Sequence, residues 1–270
     1  MAKRIRTWSE EKIKRYIKEG RGSGKGKEYK PWINNQSFPS EGRTSRISGW
    51  KTHRVHHLAS DNEARYFYIL EWSDIVTDIR EQYPLLDYEE TVSIAEDLGI
   101  KHPRDNDSGV PYVLSTDFLV TVMTNSEEQY LARTVKPASF LEQPRVIEKF
   151  EIERRYWEKR NIDWAIVTEK DISKQFARNV EWVHSAYKLE DSYGLSIKQV
   201  EIIASIIKEK VVNSDLSFTE ISDYIDVEMN LDEGTSLFVI KHLIARKNIE
   251  IEMDKKINLN QSARLIVKKL

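Results

Sequence analysis

The chain has 270 residues, of which 40% are hydrophobic and seven are tryptophan, and it contains no cysteine. That amount of apolar material predicts one large or two ordinary folded domains rather than a disordered polyelectrolyte. The absence of cysteine excludes disulfides, thiolate zinc sites and a thiol nucleophile, and it is typical of a reducing compartment. No apolar run approaches the length of a membrane span, so we expect a cytoplasmic protein that does not contact a membrane.

The formal net charge is only −2, but it is distributed unevenly along the chain. Residues 1–60 carry 15 Lys or Arg against 5 Glu, whereas residues 61–270 carry 27 basic against 39 acidic residues. A basic arm over about residues 1–57 with interleaved aromatic rings is typical of nucleic-acid binding. Its glycine-rich segment, residues 20–27, is flexible by composition and lacks the spacing of a nucleotide-binding phosphate loop. The alternative is a solvated tail. The predicted DNA-binding residues of the arm are Lys30, Arg43, Arg46, Lys51 and Arg54.

A helix is predicted over residues 60–72, because Ser60-Asp-Asn-Glu63 is a capping-box pattern followed by apolar residues at helical spacing. In such a helix Glu63 often only binds the backbone N–H of the cap residue, and this reading competes with a catalytic one. A strand is predicted over residues 76–86, and a short helix or turn over residues 91–99.

The next two segments predict a pair of strands with polar residues near their ends. Residues 115–123 form an apolar run whose only charge is Asp117, and a buried carboxylate must be paired, hydrogen-bonded or bound to metal. In residues 129–137, the period of two puts Thr134 and Lys136 on one face. If the strands pair, Asp117 and Lys136 can share a face, either as a salt bridge or as part of a catalytic site.

A long helix after Pro144 and a strand over residues 162–168 follow. The order strand, strand, helix, strand predicts an α/β core with a crossover, and the charges of the helix are expected to be mostly solvated.

The C-terminal part has a different pattern. Helices are predicted over residues 196–212, 218–226 and 232–246, and a hairpin over residues 249–259, which is a winged-helix order. Residues 171–270 have a net charge of −2 and the third helix begins with Asp232-Glu233, so contact with protein is favoured over contact with DNA.

Short motifs along the first 172 residues match one known family. They are Tyr29-Lys-Pro-Trp32, Gly42-Arg43, Val55-His-His-Leu58, Asp78-Ile-Arg-Glu-Gln-Tyr-Pro-Leu85, Ile100-Lys-His-Pro103, Ser115-Thr-Asp-Phe-Leu-Val120, Val135-Lys-Pro-Ala138 and Glu153-Arg-Arg-Tyr-Trp157. With these motifs the chain resembles the TnsA endonucleases, the nuclease subunits of heteromeric cut-and-paste transposases. The resemblance implies a mixed α/β (α+β) fold. A restriction-endonuclease-like PD-(D/E)xK catalytic domain would span residues 1–172, and a mostly α winged-helix-like domain residues 173–270.

The resemblance also implies a set of site residues. Glu63, Asp117 and Lys136 take the positions of the catalytic residues, and Glu63, Asp117 and the backbone carbonyl of Val135 those of the ligands of Mg²⁺, for which Mn²⁺ would substitute. The family usually has Gln two residues before the lysine, whereas this chain has Thr134, whose hydroxyl could reach the metal directly or through water. Lys136 is expected to orient the attacking water and stabilise the phosphate rather than act as a base.

The implied function is Mg²⁺-dependent cleavage of the 5′, non-transferred strands of double-stranded DNA at transposon ends. The implied partners are a TnsB-like DDE transposase and a TnsC-like ATPase regulator, the latter contacted through residues 173–270. Arg80 and Gln82, in the matched segment 78–85, complete the predicted DNA-binding residues. Two alternatives stay open: a stand-alone restriction or repair endonuclease, and a catalytically weak DNA-binding adaptor of the transposition complex.

Overall fold

A four-stranded mixed sheet forms the centre of residues 1–172. In order across the sheet, its strands are β3 (Val76–Pro84), β4 (Ser115–Thr124), β5 (Glu127–Val135) and β6 (Asp163–Val167). Strand β4 runs antiparallel to both β3 and β5, and β6 runs parallel to β5. Asn125 and Ser126 connect β4 to β5 with φ angles of 52° and 65°, the left-handed conformation that suits the twist of a two-residue hairpin.

The computed structural model describes residues 8–34, 43–189 and 194–270. The chain divides into two compact units, residues 1–172 and residues 173–270. Residues 1–7 and 35–42 of the predicted basic arm, including Gly42 of the matched motif, lie outside the described residues. No helix in the described part of the chain is long and apolar enough to cross a membrane.

Helix α4 (Pro144–Glu158) connects β5 to β6 and covers one part of the sheet. Ile152, Tyr156 and Trp157 fall on one face of this helix by their spacing and are buried against Leu119 and Ala132 of the sheet. The order strand, strand, helix, strand is therefore confirmed, and with it the mixed α/β class.

Helix α2 (Asp61–Trp72) follows a hairpin of β1 (Ser45–Ser48) and β2 (Val55–Leu58). The helix packs on β2, β3 and β5, and Phe67 is fully buried. The ring of Tyr66 stands edge-on to the ring of Phe118, with 5.7 Å between the ring centres. Its N-terminal turn is therefore held close to the central strands. Helix α3 (Tyr88–Asp97) lies between β3 and β4 in the chain, where a short helix or turn was predicted.

The N-terminal segment is an integral part of this unit. Helix α1 (Glu10–Lys18) precedes the glycine-rich loop, and Trp8, Tyr16 and Trp32 pack edge to face in a buried cluster. Hydrogen bonds hold the loop in place: Gly22 N–H donates to the carbonyl of Lys30 at 2.7 Å, and Gly26 N–H donates to Asp78 Oδ1 at 3.1 Å. The flexibility expected from composition is thus wrong for this segment, and these rings of the arm pack in a core.

Within residues 173–189 and 194–270, the second unit contains four longer helices, one short helix and a small two-stranded sheet. Its elements are α5 (Lys174–His184), α6 (Ile197–Asn213), α7 (Phe218–Glu228), α8 (Thr235–Ala245), β7 (Glu250–Ile251), α9 (Ala263–Ile266) and β8 (Val267–Lys269). Capping boxes begin α6 at Ser196 and α7 at Ser217. The three predicted helices are confirmed as α6, α7 and α8 within a few residues, whereas α5 was not predicted.

The hairpin predicted over residues 249–259 is wrong. β7 pairs instead with β8, which follows α9, and Lys269 and Lys268 form ion pairs with Glu250 and Glu252 across this sheet. The carbonyls of Met253 and Lys255 accept hydrogen bonds from the side chain of Asn179, each at 2.7 Å. These carbonyls therefore bond to a side chain of α5 and not to the backbone of a second strand.

Candidate active site

The candidate site lies where β4 and β5 diverge. Their regular pairing ends at Phe118 and Arg133. Beyond that point the N–H of Val135 donates to Asp117 Oδ2 at 2.7 Å instead of to the backbone of β4. Because the N–H and C=O of one strand residue face the same side, the carbonyl of Val135 also faces Asp117. The divergence thus places a carboxylate and a backbone carbonyl together.

A second strand also holds Asp117. Gln82 Nε2 of β3 donates to Asp117 Oδ1 at 3.3 Å, and Ser115 Oγ donates to Gln82 Oε1 at the same distance. The backbone of Gln82 is left-handed, with φ 49°, a conformation that costs a residue with a Cβ about 1–2 kcal/mol. The matched motif gave no sign of this backbone conformation.

Glu63 reaches the site from the first turn of α2. It is 5% exposed, and its carboxylate accepts the N–H of Ala59 at 2.9 Å and the hydroxyl of Ser60 at 3.0 Å. Ser60 Oγ in turn caps the helix by accepting the N–H of Glu63. The prediction that Glu63 binds a backbone N–H at the start of the helix is therefore confirmed, but this N–H belongs to Ala59 and not to the cap residue Ser60. Each Glu63 oxygen accepts one donor, which leaves lone pairs for a ligand.

The electrostatics of this pair favour a bound cation. Burial raises the pKa of Glu63, and the charge of Asp117 raises it further. Burial also raises the pKa of Asp117, although the N–H of Val135 and the charge of Lys136 oppose this. A divalent cation removes the cost of placing two carboxylates together.

The donor set fits Mg²⁺. Within residues 8–34, 43–189 and 194–270, no group of three or more His, Asp or Glu side chains could hold a metal ion. A site here would therefore combine two carboxylates with a backbone carbonyl and water, which are the hard oxygen ligands that Mg²⁺ prefers.

Lys136 follows β5 directly. Its N–H donates to the carbonyl of Val167 at 3.0 Å, and its ammonium lies 5.2 Å from the ring centre of Phe140. Its charge lowers the pKa of both Glu63 and Asp117, yet within the described residues no ion pair of 4.0 Å or less joins it to either. The salt bridge considered from the sequence is thus not formed, and the ammonium protons remain for another acceptor.

Glu153 of α4 is an acid that the sequence analysis did not single out. It is 5% exposed, and one of its oxygens accepts the hydroxyls of Thr116 (2.7 Å) and Thr134 and the indole N–H of Trp164 (3.0 Å). Burial raises the pKa of Glu153 to about 7 despite these donors, and the charge of Asp117 adds to the shift. The hydroxyl proton of Thr134 is therefore directed at Glu153.

The spacing of α4 contained the signal that was missed. Glu153 directly follows Ile152 and precedes Tyr156 and Trp157 by three and four residues, so it belongs to the buried stripe. The expectation that the charges of this helix are solvated is wrong for Glu153.

The predicted DNA-binding residues fall into two groups. Lys30, Arg43 and Arg46 are exposed, and Lys51 is half-buried. Arg80 and Gln82 are buried, and the side chain of Arg54 is only 8% exposed.

Both arginines of the second group have internal partners. Arg54 donates to Glu81 and to the carbonyl of Ile79, and His56 Nδ1 lies 2.8 Å from Glu81. Burial alone would raise the pKa of Glu81, but His56 and Arg54 hold it down to about 2. Arg80 pairs with Asp78 at 3.3 Å and donates to Thr121 at 3.0 Å. These arginines connect strands within the unit.

Known proteins match this chain along nearly its whole length. Residues 73–169 match a family model described as TnsA-like endonuclease N terminal, and residues 171–253 one described as TnsA endonuclease C terminal. The transposon Tn7 transposition protein TnsA of Escherichia coli is 43% identical over 267 residues, which are 99% of this chain and 95% of that protein. The two family models therefore cover the sheet with Asp117, Val135 and Lys136 and the helices α5 to α8, while Glu63 lies in the part of the chain that is covered by the match to the Escherichia coli protein.

Proposed function

The chain belongs to the TnsA endonuclease family and is an endonuclease subunit of a transposase, and on that premise we propose that it hydrolyses DNA phosphodiesters with the help of Mg²⁺. Glu63, Asp117 and the carbonyl of Val135 would hold the ion, and Mn²⁺ would substitute for it. The observation that carries this proposal is the position of two carboxylates, Glu63 in the first turn of α2 and Asp117 beside the divergence of β4 and β5, and burial raises the pKa of both. Beside them stands Lys136, which forms no ion pair with either carboxylate within the described residues.

The roles of the side chains follow from their chemistry. A bound Mg²⁺ supplies Lewis-acid stabilisation of the phosphoryl group and lowers the pKa of the attacking water. Lys136 acts as a donor, because no carboxylate among the residues that the structure describes forms an ion pair with its ammonium group, whose protons can point at the water and the phosphoryl oxygens. Thr134 acts through Glu153, since its hydroxyl proton is already donated there.

The substrate is double-stranded DNA at transposon ends, and the cut strands are the 5′, non-transferred ones. A TnsB-like DDE transposase would cut and join the 3′ ends. DNA phosphates would contact Lys30, Arg43, Arg46 and Lys51, the predicted residues that are exposed or half-buried in the N-terminal segment.

Residues 173–270 form a winged-helix-like domain that contacts protein, with a TnsC-like ATPase as the partner. The burial of α8, the third helix of the winged-helix order, supports this choice: eight of its eleven residues are buried, so it cannot lie in a DNA groove as a reading helix. The exposed apolar side chains of this unit, such as Ile197 (69% exposed) and Val227 (79%), are what a protein partner would cover.

The test is strand-specific nicking of an end-labelled transposon-end duplex by the full chain with its partner subunits. With Mg²⁺ we expect this chain to cut the 5′ strand while the TnsB-like subunit cuts the 3′ strand, and removal of the metal by EDTA should abolish the 5′ cut. Asp117→Ala should abolish the cut while Asp223→Ala, an exposed acid on α7, should not. Cleavage of the 5′ strand by the Asp117→Ala chain would refute the assignment of the site.

The same assay separates the two alternatives. Efficient nicking by the chain alone would favour a stand-alone nuclease. Complex formation without metal-dependent nicking would favour an adaptor.

A further inference from the structure

The backbone conformation of Gln82 differs from that of its neighbours in β3. Glu81 and Tyr83 keep regular pairing with Phe118 and Thr116 of β4, so Gln82 stands directly opposite Asp117 with no inserted residue. Its φ of 49° is nevertheless left-handed. Non-glycine residues in this conformation persist only where surrounding contacts over-determine them, and they are concentrated at functional sites.

The contacts that fix Gln82 can be named. Its carbonyl accepts the N–H of Trp32 at 3.2 Å, and Trp32 is only 1% exposed. Its side-chain carbonyl accepts the hydroxyl of Ser115, so the amide N–H₂ is turned to Asp117, whose carboxylate only accepts. A main-chain bond thus holds the backbone of Gln82 and a side-chain bond sets its amide.

The result is a carboxylate held from both neighbouring strands. Val135 of β5 donates to Asp117 Oδ2 and Gln82 of β3 to Oδ1. The terminal torsion of an Asp side chain is broad, so one donor alone lets the carboxylate turn about that bond. Two donors fix its plane and leave the remaining lone pairs of both oxygens for a cation.

From this geometry we infer that Gln82 is a positioning residue that orients Asp117 for the divalent cation, and not a contact to DNA. The inference rests on the function proposed above. Partners of metal ligands typically change metal affinity or activity 10–100-fold when they are removed, and the strained backbone is the cost of aiming the amide.

The principal variant is Gln82→Gly in the full chain, because glycine accepts the left-handed backbone and removes the side chain that carries the amide. Relief of the left-handed strain should offset part of the cost of losing this buried side chain, so the metal-free variant should stay folded with a melting temperature close to that of the wild type. Its dissociation constant for Mn²⁺, measured by calorimetry on the protein alone, should rise 10–100-fold. Half-maximal nicking with the partner subunits should need correspondingly more Mg²⁺, and the affinity for the duplex should not change. A side chain with a merely structural role would change the melting temperature and leave the metal affinity alone.

Two further variants complete the series. Asn230→Gly changes an exposed residue with the same φ of 49°, after α7, and should leave Mn²⁺ binding and nicking unchanged. Ser115→Ala leaves the backbone of β3 untouched and frees the amide to turn, so a smaller loss of Mn²⁺ affinity is expected even if Gln82→Gly folds poorly.

Three results would decide the matter. Wild-type Mn²⁺ affinity in both Gln82→Gly and Ser115→Ala would overturn the inference. A loss of duplex affinity in Gln82→Gly with unchanged Mn²⁺ affinity would make Gln82 a contact to DNA and also overturn it. If Asp117→Ala itself binds Mn²⁺ and nicks normally, the proposed function fails, and the positioning role that rests on it fails as well.

Discussion

Replacing Glu153 by Gln should remove a pH dependence of stability that the wild type carries. The pKa of Glu153 is about 7 in the folded protein against 4.5 in its ordinary state. Between these values the folded chain holds a proton that the unfolded chain has released, so stability falls as pH rises through this window. At about 1.4 kcal/mol per pKa unit, the titration of Glu153 alone lowers the unfolding free energy of the wild type by about 3 kcal/mol between pH 4.5 and pH 8.

The amide side chain introduced by Glu153→Gln is neutral throughout this range. Its carbonyl can still accept the hydroxyls of Thr116 and Thr134 and the indole N–H of Trp164, whereas its N–H₂ group must find a new acceptor at a cost of about 1–3 kcal/mol. That cost does not depend on pH. The stability of Glu153→Gln relative to the wild type should therefore rise by about 3 kcal/mol from pH 4.5 to pH 8, whatever its value at the lower end.

The assay is urea denaturation of the full, metal-free chain at several pH values, followed by tryptophan fluorescence. Six of the seven tryptophans lie within residues 1–172, so the signal reports mainly on the unit that contains Glu153. Glu151→Gln is the matched control on the same helix. Arg154 and Arg155 hold the pKa of Glu151 down to about 2, so its effect on stability should not vary above pH 5. A difference curve for Glu153→Gln that is flat from pH 4.5 to pH 8 would refute the reasoning.

Three further changes test other parts of the molecule. Arg54→Ala leaves Glu81 buried without its arginine and should lower the free energy of unfolding by about 3–5 kcal/mol in urea denaturation; a loss below about 1 kcal/mol would contradict this. Gly22→Ala places a Cβ 2.2 Å from Pro84 Cγ at a φ of 77°, so it should lower the melting temperature, whereas Gly109→Ala, with open space around it, should lower it less. Binding of Mn²⁺ near pH 7 should release protons, because Glu63 and Asp117 have raised pKa values and bind metal only when ionised. Calorimetry in buffers of different ionisation enthalpy measures this release, and an unchanged apparent enthalpy would exclude it.

The sequence predicted those features of the fold that local periodicity determines. The strand pair β4–β5, the crossover helix α4 and the helices α6 to α8 each follow from apolar spacing of two or of three to four residues. Periodicity failed at β8, because a strand of three residues has too few positions to show a pattern, and its pairing with β7 depends on the intervening chain.

The candidate site divides in a similar way. Asp117 and Lys136 could be singled out because each is a charge at the end of an apolar strand, and the structure brings both within electrostatic reach of Glu63. Their catalytic roles stay a prediction. The bonds of Thr134 to Glu153 and of Arg54 to Glu81 span 19 and 27 residues, and side chains that far apart in the chain meet only through tertiary packing. For this reason composition predicted a DNA contact at Arg54, where the fold makes an internal ion pair.

The resemblance described for the sequence leads to an expectation of Gln at position 134, and the Thr found there has its structural context in α4. The Thr134 hydroxyl donates to Glu153, and that same carboxylate oxygen accepts from Thr116 of β4. Glu153 thereby connects β4 and β5 next to their divergence, while Asp117 connects them through Val135 and is itself held by Gln82. The position of Asp117 is thus set by three strands and one helix. A carboxylate fixed in this way can keep its orientation toward a cation without a ligand from residue 134, so the small hydroxyl is compatible with a working site.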